Sequence, residues 1–144
     1  MCAVAVGRIQ VSEEAQAKYL EDVALAATFD DLLAKAQKSD QDYRSAQARN
    51  APLAERYALA KRLDAELTAA MRAAFAAVRA EIGQRGYDDR IYHRKAMAKP
   101  RVHALNAEAQ RLLTLREAHQ LTGIPPRPEG VGLPPDPVAS VTTH

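Results

Sequence analysis

Six cations fall within residues 85–103 (RGYDDRIYHRKAMAKPRVH): Arg85, Arg90, Arg94, Lys95, Lys99 and Arg101, interleaved with Tyr87, Tyr92, His93 and His103. Guanidinium and ammonium groups neutralise phosphates, and aromatic rings set among them can stack on bases. The segment therefore reads as a contact for nucleic acid or an acidic partner, carried by Arg85, Arg90, Tyr92, Arg94, Lys95, Lys99 and Arg101. The competing reading is a solvated helix surface whose charges pair with Asp88, Asp89 and the acidic first helices. Charge favours the second: residues 85–117 hold eight basic and four acidic side chains, yet the whole chain nets only +2. A dedicated nucleic-acid binder carries a stronger basic stripe.

Other chemistry has less to stand on. The adjacent acids Glu13-Glu14, Asp30-Asp31 and Asp88-Asp89 lie where helix starts are read, so capping and dipole complementation explain them better than acid–base catalysis. Asp89 and His93 lie one turn apart, but Arg90 beside them repels a cation, and no His-Glu-x-x-His, cysteine pair or calcium-loop spacing occurs. No glycine-rich phosphate loop or nucleophile setting is present. The reading is a non-enzyme with no catalytic residue, cofactor or metal. Cys2 is the single cysteine, which rules out an intrachain disulfide. Apolar runs are far shorter than the roughly 20 residues of a membrane-spanning helix. A soluble, cytosolic protein with no membrane partner is expected.

Residues 113–128 (LTLREAHQLTGIPPRP) carry Thr114, Leu115, Arg116, Glu117, Ala118, Gly123 and Ile124, a run that resembles the opening of an excisionase- or MerR-type helix-turn-helix. The resemblance implies a DNA-reading helix directly after the run. Pro125, Pro126, Pro128, Gly130 and Gly132 forbid that helix, so the run reads as an ordinary helix end. From residue 124 onward the chain holds six of its eight prolines. Ile124, Pro125, Pro126, Arg127, Pro128, Leu133, Pro134 and Pro135 read as an extended arm that binds a partner, polyproline-like or disordered when free.

The elements that must position these residues are helical. Residues 1–11 read as a short arm. Ser12 caps a helix carrying Tyr19, Leu20, Val23 and Ala27 as its apolar face. Thr28, with Asp31 reaching back, gives a second start signal, read as a kink or a fresh helix, and residues 37–50 are polar apart from Tyr43. Asn50 reads as the next cap, with Pro52 in the first turn. No Gly or Pro interrupts residues 53–82, where Leu59, Leu63, Leu67, Met71, Phe75, Val78 and Ile82 form one stripe. At 1.5 Å per residue that helix is about 45 Å long. Gly83 stops it, a short helix follows from Asp88 or Asp89 to about Ala98, and another runs from about Val102 to Thr122.

The expected fold is all-α: a long antiparallel hairpin of residues 13–49 against 52–83, a shorter helical pair within 88–122, and two flanking arms. Residues 1–123 are read as one helical domain and 124–144 as the tail. The chain holds 30 alanines, two phenylalanines and no tryptophan. A buried alanine methyl contributes far less than the roughly 1.5–3 kcal/mol of a buried Leu or Phe. A lone copy is therefore marginally stable unless its helices pack closely or against other copies. These features point to a structural subunit that binds copies of itself and a larger assembly, with a small bacteriophage particle component as the nearest architectural analogue. Nucleic-acid association through residues 85–103, or an adaptor presenting the Pro-rich tail, are the alternatives.

Overall fold

The computed structural model describes residues 11–128. Among them are six α-helices and no strand: α1 (Glu13–Ala26), α2 (Phe29–Ala48), α3 (Leu53–Ile82), α4 (Arg85–Asp88), α5 (Arg90–Ala96) and α6 (Pro100–Ala118). A π-helical turn, His119–Gly123, extends α6.

The long helix α3 is the axis on which the others pack. Arg49 meets Glu55, Arg62 lies near Asp42, and Ser39 meets Glu66, so α2 runs antiparallel to α3. Arg101 meets Glu81 and Arg116 meets Thr68, so α6 is also antiparallel to α3. Rather than pairing with α5, α6 packs along α3, because Val102, Ala109 and Leu112 share one apolar cluster with Ala70, Ala74, Val78 and Ile82. A second cluster joins Ala36 and Tyr43 of α2 to Ala60, Leu63 and Leu67 of α3.

Alanine fills much of this interior. Eleven of the eighteen buried apolar side chains among the described residues are alanine. Ala60, Ala70, Ala73 and Ala76 are each 0 % exposed, which brings backbones close where larger residues would hold them apart. Leu59, Met71 and Phe75, taken from the sequence as core, are half-buried flanks. Ser39 is buried on the α2–α3 seam, and its hydroxyl donates to the Glu66 carboxylate.

Several boundaries have other causes than the sequence suggested. Ser12 does cap α1, its hydroxyl accepting from the Ala15 N–H at 3.1 Å. Thr28 does not cap α2. Its hydroxyl donates back to the Leu25 carbonyl at 2.6 Å, so the break there is a turn rather than a capping box. Asn50 ends α2 instead of starting α3. It sits at φ +52°, with its N–H on the Gln47 carbonyl at 3.1 Å and the Ala51 N–H on the Ala46 carbonyl at 2.9 Å. That pair of bonds is the Schellman arrangement. Pro52 becomes the extended cap residue. Pro100 opens α6, two residues before the expected start, because a first-turn proline needs no N–H partner.

Candidate functional site

The basic segment begins where Gly83, at φ +98°, ends α3. Asp89 caps α5, accepting the Tyr92 N–H at 3.0 Å. That bond, together with Arg85, holds the Asp89 carboxyl below its ordinary value. Four of the seven residues singled out by sequence are engaged within the fold. Arg85 lies 3.3 Å from Asp89 and 4.7 Å from the Tyr92 ring centre. Lys99 approaches the same ring at 5.8 Å, and Arg101 pairs with Glu81 at 2.8 Å. Tyr92 is therefore occupied by cations of its own chain instead of being free to stack on bases.

Arg90, Arg94 and Lys95 are different. They are exposed on α5 and make no ion pair among the described residues. Ile91, 64 % exposed, lies among them on the outer face. Helical spacing puts residues 90, 91, 94 and 95 on one side and leaves Ala96 facing the core.

The sequence did not single out α1 as a site, and its orientation is unexpected. Asp22 faces inward. Its carboxylate accepts from Arg79 Nε at 2.8 Å, from Arg79 Nη2 at 3.0 Å and from the Tyr87 hydroxyl at 2.5 Å. Tyr19 meets Tyr87 edge to face at 6.5 Å. At the start of the helix, the Ser12 N–H donates to Asp88 at 2.8 Å. Burial alone would raise the Asp22 carboxyl, but the hydrogen bonds from Arg79 and Tyr87 and the Arg79 charge outweigh it and hold the group low. Burial and the bond to Asp22 push the Tyr87 hydroxyl well above its usual range.

With Asp22 turned in, the apolar stripe turns out. Leu20 is 64 % and Val23 41 % exposed, and Ala17, Ala24 and Ala27 are exposed beside them. The expected inward face of Tyr19, Leu20, Val23 and Ala27 is thus corrected: Tyr19 packs inward and the other three look outward. Exposed Glu13, Glu14, Lys18 and Glu21 border the stripe. One signal in the sequence could have found this: Ala15, Asp22 and Ala26 recur at helical spacing, an inward face with a charge needing a partner.

At the other end of α3, His119 Nε2 lies 2.8 Å from the Ala60 carbonyl, so that nitrogen carries the proton. Tyr43 packs edge-on to His119 and donates to the Gly123 carbonyl at 2.5 Å. Ile124 packs on the α2–α3 cluster, while Pro125, Arg127 and Pro128 are half-buried and Pro126 is exposed. Leu133, Pro134 and Pro135 lie outside the described residues, as does most of the N-terminal arm. No second helix follows the run resembling a helix-turn-helix within the described residues. Between α2 and α6 runs a groove of about 370 Å3 floored by Leu63 and Leu67.

No group of side chains among the described residues has a metal-holding arrangement, and no described helix is long and apolar enough to cross a membrane. Comparison with protein-family models, curated proteins and solved structures returns no match.

Proposed function

We propose that this chain is a non-enzymatic helical subunit that docks into a larger assembly through the outer face of α1. One observation carries the reading. The helix turns the half-buried charge of Asp22 inward and leaves Leu20 and Val23 in solvent, beside the exposed Ala17, Ala24 and Ala27. Scattered exposed leucines need no explanation, but a contiguous apolar stripe marks a contact surface. The alanine-rich interior supports the same reading, since it leaves stability to be gained by burying larger side chains on a partner.

The test is the native mass of the full chain in clarified cell extract, beside a Leu20→Ser/Val23→Ser variant. The reading expects a species well above the 15.7 kDa of one chain, reduced or lost in the variant. A wild-type chain that runs as one copy in extract contradicts it.

A second reading, nucleic-acid contact, rests on Arg90, Arg94 and Lys95. Three neutralised phosphates give a salt slope of about −2.7, shallow for a dedicated binder. Binding that falls with that slope and disappears on neutralising the three residues would support it.

A further inference from the structure

We infer that the partner of the α1 stripe is a second copy of this chain, and that it docks there with the outer face of its α5. This rests on the docking reading above and names the occupant. The argument is complementarity on two patches of one molecule. The α1 patch is apolar, centred on Leu20, and exposed Glu13, Glu14 and Glu21 outnumber the one cation on its border, Lys18. The α5 patch is apolar at Ile91 and bordered by Arg90, Arg94 and Lys95, none of them ion-paired among the described residues. Both patches offer an exposed apolar centre, and the net charge of their rims is of opposite sign.

Their placement favours a closed pair. Ser12 binds Asp88 through both its N–H and its hydroxyl, so the start of α1 is fixed beside the start of α5. Both patches therefore lie at the same end of α3. Two copies related by a two-fold axis at that end make the α1–α5 contact twice, doubling the area buried relative to a single contact. Each patch alone is small for a stable interface, which needs roughly 1,000 Å2 in total. Contact between rims of opposite charge also predicts association that weakens as salt rises.

The experiment uses the purified full chain, a Glu14→Lys/Glu21→Lys variant and an Arg90→Glu/Arg94→Glu/Lys95→Glu variant, in sedimentation equilibrium at low and high salt. All five positions are exposed, and circular dichroism verifies that both variants keep their helical content. Wild type is expected to form reversible dimers, favoured at low salt. Each variant alone should dimerise at least roughly tenfold more weakly, because like charges then face each other in both contacts. An equimolar mixture should recover dimers, because the two reversed rims match in one contact and the two unchanged rims match in the other. A mixture no better than its components overturns the inference. So does a purified wild type that stays monomeric: if the same chain is heavy in extract, the docking reading stands and the stripe belongs to another partner. Wild-type dimers indifferent to both reversals place self-association on a different face and overturn the α1–α5 assignment alone.

Discussion

The carboxylate of Asp22 on α1 takes two hydrogen bonds from the guanidinium of Arg79 on α3, at 2.8 and 3.0 Å. A fork-to-fork pair of this kind fixes direction as well as distance. It sets the rotation of α1 about its own axis. Once Asp22 points at Arg79, Leu20 and Val23 must point away. The outward stripe thus follows from this pair, from the Ser12–Asp88 and Tyr19–Tyr87 contacts beside it, and from the helical period.

Arg79→Met should lower stability by about 1 kcal/mol, as judged from hydrogen bonds to charged groups with a discount for exposure of the arginine. Denaturant melts check this. Near-ultraviolet circular dichroism should also change, because Tyr19 and Tyr87 pack edge to face beside the pair.

Acid should uncover the same pair. The folded Asp22 carboxyl lies below its ordinary value of 3.8. Its contribution is fully present above that value and is lost as pH falls through the lowered folded value. Wild type should therefore lose stability in this range more steeply than Asp22→Asn. Parallel acid melts of the two proteins decide the point.

At alkaline pH the sign reverses. The Tyr87 hydroxyl ionises above its ordinary value of 10.0, so its bond to Asp22 stabilises the fold below that pH and is lost as pH rises through the folded value. Ultraviolet titration of phenolate absorbance should show a late-ionising tyrosine that is missing in Tyr87→Phe.

Gly123→Ala should disturb the end of α6. A methyl there would lie 2.4 Å from His119 Nδ1, and the ring is held by its bond to the Ala60 carbonyl. Either the π-helical turn or the His119 contact must give way. Hydrogen exchange should quicken around residues 119–124 and stay unchanged at α1.

Much of the helical layout was legible. Leu53–Ile82 needed only an uninterrupted period and a terminal glycine, and Ser12 and Asp89 cap where their side-chain chemistry places them. What escaped is tertiary. Periodicity finds Leu20 and Val23 but cannot know that Arg79, 57 residues beyond Asp22, captures the opposite face. It also passes over Ala70 and Ala73, which matter because they are small. The sequence points Asn50 toward α3 because the same side chain suits a cap and a left-handed turn, and only the Ala51–Ala46 bond distinguishes them. In the basic segment the residue types were legible, but their division was not. Glu81 and Asp89 claim Arg101 and Arg85, leaving Arg90, Arg94 and Lys95 to face outward.

The most direct measurement is the mass of the wild-type complex in extract against that of Leu20→Ser/Val23→Ser, with helical content verified as equal. The outward stripe predicts a wild-type mass well above 15.7 kDa and a shift toward that value in the variant. A variant that assembles like wild type, or a wild type that never exceeds one chain, would contradict a docking role for α1.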